Sequence, residues 1–225
     1  MKAVAENNRR WGCPMIHQIV RRERLVENHK RTERIYKEEA LTIRKRKRRR
    51  HKTSAIRIER SKPTAPNQSW SMDFMSDALQ TGRKLRTLNI VDDFTRECLA
   101  IVVDTSIGGA RVARELDTII DHRGKPSSIT TDNGPEFTSR ALDAWAFKKG
   151  VKINYIRPGK PNENAYIESF NGRFRDECLN ENWFSTIPET REIAETWRDK
   201  YNSYRPHSSL NHLPPKEFAR QFVLN

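Results

Sequence analysis

Two runs decide how this chain is read: TTDNGPEF at residues 130–137 and NENAYIESFNGRFRDEC at residues 162–178. The first presents Asp132 and the second Glu168, with 35 residues between them. A third acid, Asp73, stands upstream in WSMDF, residues 70–74. Acids make up 29 of the 225 residues, so spacing alone arises easily by chance and local context has to decide.

Around Glu168 the context is helical. At about 100° per residue, Ile167, Phe170, Phe174 and Cys178 fall on one flank, while Asn164, Glu168, Gly172 and Arg175 share another. Glu168 therefore faces a polar space beside a buried seam, and Arg175 is placed to reach a phosphate; a plain solvated helix face has the same pattern. Asp132 follows the short β-prone run 127–131, which Asn133-Gly134-Pro135 ends abruptly. A carboxylate at that end of a strand faces the crevice where open α/β sheets hold ligands, although an Asx turn also uses Asp before Asn-Gly. Trp70, Met72 and Phe74 alternate with Ser71, Asp73 and Met75, so Asp73 leaves a strand from its less apolar edge, where a lone acid can simply keep a sheet face wet.

Together the three acids have a chemical logic that none has singly. Mg²⁺ prefers hard oxygen ligands and keeps several waters, so carboxylates from separate elements make an open octahedral site. Two such ions, roughly 3.5 to 4 Å apart, can support in-line displacement at phosphorus.

The ordered series WSMDF, IVDDFTRECLA, TTDNGPEF, NENAYIESFNGRFRDECLN and WRDKYNSYRPHSSLNHLPPKEF closely resembles the second-frame (OrfB) transposases of insertion-sequence family three. The resemblance runs from about Arg9 to Phe218. It implies a ribonuclease-H-like integrase catalytic core, an Asp-Asp-Glu recombinase in which Asp73, Asp132 and Glu168 are the catalytic and metal-binding acids, and a DNA-facing Arg175 seven residues after the Glu. It also implies Mg²⁺ or Mn²⁺, two ions per site, strand transfer of element ends into target DNA, a homo-oligomer on DNA, and a first-frame helix-turn-helix partner protein.

Charge is distributed unevenly along the chain. Residues 1–62 hold 21 Lys and Arg against 7 Asp and Glu, a net of +14, whereas residues 63–225 hold 22 of each. A strongly basic arm ahead of a neutral body is a footprint for a polyanion, with nucleic acid the default and an anionic membrane surface the other possibility. No apolar run approaches the ~20 residues of a spanning helix, and no secretion signal opens the chain. The expected setting is the bacterial cytoplasm, in association with the nucleoid and not with a membrane. Cys13, Cys98 and Cys178 are odd in number and scattered, and Cys13 with His17 and His29 lacks the paired cysteines of a zinc module.

The first part, 1–43, reads as a helical, helix-turn-helix-like module. Ile16, Ile19 and Val20 line one helix, and Asn28 caps a second that carries Lys30, Arg31 and Arg34 as DNA-binding candidates; an ordinary basic hairpin shares this pattern. Starting so soon after Met1, the module is expected to lack a leading helix. Residues 44–69 form a basic tract and linker. Arg44, Lys45, Arg46, Lys47, Arg48, Arg49, Arg50 and Lys52 are expected to contact phosphates without reading sequence.

Residues 70–180 form the catalytic core. Three antiparallel-looking strands precede a strand-helix alternation, which predicts a mixed five-stranded sheet flanked by helices. Asp92 and Asp93 are rival candidates for the metal site but read as turn formers, since a hairpin tip normally points away from the end of the first strand; Thr105 or Ser106 reads as the cap of a helix reaching His122, and Thr138 or Ser139 as the cap of the next. The resemblance further implies that the loop RPGKPN, residues 157–162, is mobile until DNA binds, and if the helix after it moves the triad is incomplete without DNA. Residues 181–225 are expected to form a helix and tail packed on the core. The function so predicted is a DNA transposase that nicks element ends and joins them to target DNA by metal-dependent phosphoryl transfer. The alternatives are a catalytically silent DNA-binding remnant or regulator of transposition, and a ribonuclease H or structure-specific nuclease.

Overall fold

The computed structural model describes residues 1–43, 62–157, 159 and 161–222. The basic tract Arg44–Lys52 lies outside the described residues, as do Pro158 and Lys160 of the RPGKPN loop. The chain divides into two compact units, Met1–Ser61 and Lys62–Asn225.

In the first unit a five-residue helix, α1 (Lys2–Glu6), precedes α2 (Cys13–Arg22) and α3 (His29–Glu38). Trp11, Ile16, Ile19 and Tyr36 make its small core. Asn28 starts α3 by accepting the Lys30 amide at 2.9 Å, and a buried contact of 2.8 Å between His17 Nδ1 and Thr32 Oγ1 pins α2 to α3. Lys30, Arg31 and Arg34 lie on the exposed side of α3, where Arg34 pairs with Glu38 at 3.4 Å.

The second unit is built on a five-stranded sheet of order β3-β2-β1-β4-β5. β1 (Ser69–Ala78), β2 (Lys84–Asp92) and β3 (Cys98–Asp104) are antiparallel neighbours, and β4 (Ser128–Thr131) and β5 (Lys152–Tyr155) add in parallel. Alternation along β1 gives the sheet two different faces. Trp70 and Met72, with Leu88, Ile90 and Ile129, pack against α4 (Gly109–Arg123) and α5 (Arg140–Lys149). Met75, with Leu85 and Val91, packs against α6 (Ala165–Glu177) and α7 (Ile187–Ser203). A short α8 (Pro215–Arg220) closes the described chain. Among the described residues no helix is long and apolar enough to cross a membrane.

The β2–β3 turn is held by the two acids read as turn formers. Asp92 accepts the amides of Phe94 and Thr95 at 2.9 and 2.8 Å, and that of Asn67 at 2.7 Å. Asp93 accepts the hydroxyls of Ser69 and Ser71 at 2.7 and 2.6 Å.

Helix α4 departs from the expectation: Gly108 caps it, not Thr105 or Ser106. The cause is crowding where two helices begin. A Cβ on Gly109 would lie 1.8 Å from Ser139 Oγ and 2.8 Å from the Glu136 carbonyl, so only a glycine lets α4 start against the cap of α5. Ser139 Oγ is occupied there, accepting the Leu142 amide at 3.3 Å.

Candidate active site

Strand register brings two of the three acids together. β1 and β4 are paired in parallel with Ser71 opposite Thr130, so two residues further along each chain Asp73 stands beside Asp132. Because side chains alternate, both leave the sheet on the same face, the one covered by α6. Asp132 also makes the Asx turn that its sequence allowed, Oδ1 accepting the Gly134 amide at 2.9 Å. Among the described residues its second oxygen has no hydrogen-bond partner.

Glu168 comes from the first turn of α6 and is exposed, with no hydrogen-bond partner among the described residues. Its helix is stitched to β1 along a polar flank. The Asn164 amide donates to the Met72 carbonyl at 3.3 Å, Asn171 to Asp73 Oδ2 at 2.8 Å, and Arg175 to the Ser76 carbonyl at 3.0 Å. Arg175 also lies 3.8 Å from Asp77. The guanidinium expected to face DNA is thus engaged with the end of β1.

Asn171 is the residue that sequence reasoning missed. It is buried, it accepts the Asn89 amide at 2.8 Å, and it donates its own amide to Asp73, so an Asn89–Asn171–Asp73 chain holds the carboxylate from α6. The available signal was position: Asn171 lies three residues after Glu168, about one helical turn further on.

The electrostatics of Asp73 record the company it keeps. Its carboxyl is pushed up to about 6, first by burial, then by the negative charges of Asp132 and Glu168, against the Phe74 amide and Asn171, which favour the ionised form. Hard oxygen donors that repel one another across a half-buried space suit a divalent cation that keeps part of its water shell. Among the described residues no three His, Cys, Asp or Glu side chains close into a ready-made metal cage. The geometry is that of an open site, with two acids fixed by the sheet and one on a helix surface.

The far end of α6 is braced by the tail. Arg205 donates to both oxygens of Glu177, at 2.6 Å from Nη2 to Oε1 and 2.9 Å from Nε to Oε2. Both side chains are close to fully buried, so this is a bidentate pair with little solvent screening.

A mixed sheet presenting acids beneath a helix defines a nucleic-acid-processing core of the integrase type, and comparison with known proteins bears on the same point. Residues 63–161 and 149–215 match two family models, each described as an integrase core domain. The simian T-cell lymphotropic virus intasome shares the fold with a TM-score of 0.62 at 18% identity, over 79% of this chain and 62% of that one. The HTLV-2 integrase catalytic core domain in complex with magnesium does so with a TM-score of 0.56 at 18% identity, over 69% of this chain and 98% of that one.

Sequence relatives are closer. A 31.7 kDa protein of insertion element IS407 from Burkholderia multivorans is 52% identical over 96% of this chain and 78% of its own length. A 39.2 kDa protein of insertion element IS476 from Xanthomonas euvesicatoria is 47% identical over 97% of this chain, which spans 63% of that relative. The chain belongs to the second-frame transposases of insertion-sequence family three, DNA transposases built on an integrase core.

Proposed function

We propose that this chain nicks the ends of its element and joins them to target DNA, with Asp73, Asp132 and Glu168 as the Asp-Asp-Glu set that holds two Mg²⁺ or Mn²⁺ ions. The observation that supports this most directly is the parallel register that sets Asp73 beside Asp132 on the face beneath α6, with Glu168 near enough to raise the Asp73 carboxyl. The ions, when bound, polarise the phosphorus centre and stabilise charge on the attacking and leaving oxygens. The chain's own residues do the positioning. Asp73 and Asp132 are held by the sheet, Asn171 keeps the Asp73 carboxylate turned toward its partners, and the polar stitching to β1 presents Glu168. With no covalent enzyme intermediate, water attacks the phosphodiester at the element end, breaking its P–O3′ bond to leave a 3′-hydroxyl and a 5′-phosphate, and that hydroxyl then attacks a target phosphodiester, whose own 3′-oxygen leaves.

DNA contacts are assigned to Lys30, Arg31 and Arg34, to the tract Arg44, Lys45, Arg46, Lys47, Arg48, Arg49, Arg50 and Lys52, and to Arg175 once DNA draws it off Ser76. Two ends require coordinated processing, so the working form is a homo-oligomer on DNA, aided by a first-frame helix-turn-helix partner.

The test is a strand-transfer assay with labelled DNA flanking the gene and Mg²⁺, with and without that partner. The parent joins ends. Asp73→Asn and Glu168→Gln lose joining by about a thousandfold or more, the several kcal/mol expected of a metal-held charge, and keep DNA binding. Equal joining by Glu168→Gln removes the triad assignment. Binding with no turnover by the parent identifies a silent regulator, and cleavage of RNA/DNA hybrid without joining identifies a nuclease.

A further inference from the structure

On the flank of α6 away from Asn171, a cavity of about 310 Å³ opens between that helix, the β2–β3 turn and the segment 207–209. None of the acids lines it, yet Ser169, the neighbour of Glu168, does. Its chemistry is one-sided. Arg173 binds only its own helix, donating to the Ser169 carbonyl and hydroxyl at 2.8 and 2.6 Å, and among the described residues it has no carboxylate partner.

Arg96 enters from the turn with a left-handed backbone, φ 62°, a conformation that non-glycine residues adopt at a cost. Its guanidinium lies 3.8 Å over the Tyr166 ring and donates to the Asp93 carbonyl; the Asp93 carboxyl feels its charge, but among the described residues no salt bridge joins the two. His207 is 4% exposed and its Nε2 has no hydrogen-bond partner among the described residues. Burial keeps that imidazole neutral, and the three surrounding guanidinium groups, of Arg205, Arg173 and Arg96, reinforce it. Of these three, Arg205 is neutralised, by Glu177.

Two guanidinium groups outside any salt bridge among the described residues, and an imidazole nitrogen without a hydrogen-bond partner, leave this hollow rich in groups that an anion would complete. Guanidinium forks and hydroxyls, such as those of Ser208 and Ser209, are the donors that suit phosphate oxygens. We propose that this cavity seats one phosphodiester group of the DNA strand that crosses α6 at Glu168, fixing that strand's register against the acids. The inference rests on the transposase reading for its choice of DNA.

The test uses the full chain and duplex DNA from the flank of the gene, in EDTA so that no turnover intervenes. Each phosphate near the element end is replaced in turn by a neutral methylphosphonate. One replacement is expected to weaken the parent about tenfold, as a charge-assisted hydrogen bond does, and to leave Arg173→Gln almost unaffected. Arg173→Gln also lowers the slope of log affinity against log salt by about one, and Arg173→Lys restores it. If every replacement costs the variant as much as the parent, the proposal falls. Should Arg173→Gln unfold, Arg96→Gln is scanned in the same way with the same two outcomes. Inorganic phosphate that shifts the His207 imidazole resonance equally with and without bound DNA marks a free-anion site and overturns the DNA assignment. Because the scan reads binding alone, a parent inert in strand transfer that still shows the coupling loses the proposed function and keeps the phosphate seat.

Discussion

At the scale of single residues, the amide of Asn171 sets where the Asp73 carboxylate points. Replacing it by Ala leaves Asn89 and Asp73 facing a gap. Asn171→Ala is expected to slow single-turnover nicking by about 10- to 100-fold and to raise the Mg²⁺ needed for half-maximal rate, the usual size for a group that orients a ligand, with DNA affinity unchanged.

Asp93 gives a prediction about stability. Its carboxyl is pushed up to about 6, mainly by burial and also by the Asp92 charge, against the hydroxyls of Ser71 and Ser69 and the Arg96 charge. Its folded value exceeds its unfolded one, so the favourable contribution is full below about 4 and is lost as pH rises through 6. Above that the buried charge is a burden of on the order of 3 kcal/mol at most. Asp93→Asn is therefore expected to raise the thermal midpoint at pH 7.5 and to lose that advantage at pH 4. A variant that melts lower at pH 7.5 contradicts this account.

Among the elements, α4 shows what was legible and what was not. Val112, Leu116 and Ile119 mark its buried face in the sequence, and Gly124 marks its stop, since both are local signals. Its start was not legible, because the close approach of Gly109 to Ser139, thirty residues away in the chain, is a tertiary contact that no local signal carries. Gly109→Ala is expected to cost about 1–3 kcal/mol, read as a lower midpoint in chemical denaturation, by forcing α4 and α5 apart.

Helix α6 repeats the lesson at the site. The apolar stripe and Glu168 were visible in its periodicity. The stitches from Asn164, Asn171 and Arg175 to β1 were not, since nothing in the run 162–178 says which strand lies beneath it. Asp73 and Asp132 were recognisable as candidates, but only pairing of β1 with β4 places them side by side.

Over the whole molecule, all the excess charge belongs to residues 1–62 while the integrase-type body is neutral. Affinity for DNA should therefore reside mainly in the arm, and chemistry in the body. Replacing Arg46, Lys47 and Arg48 by Gln is expected to lower the salt slope of DNA binding by about one for each phosphate no longer neutralised, whatever the DNA sequence. A fluorescence titration at several salt concentrations checks this; an unchanged slope shifts the binding surface onto the body.

The grip of Arg205 on Glu177 joins positions 28 residues apart, and this has a consequence for protein synthesis. A ribosome that has just finished α6 has already made every acid, but the brace for that helix is still untranslated. Products that terminate in this interval carry Asp73, Asp132 and Glu168 but not Arg205, and their α6 is expected to be less protected from amide exchange than in the full chain.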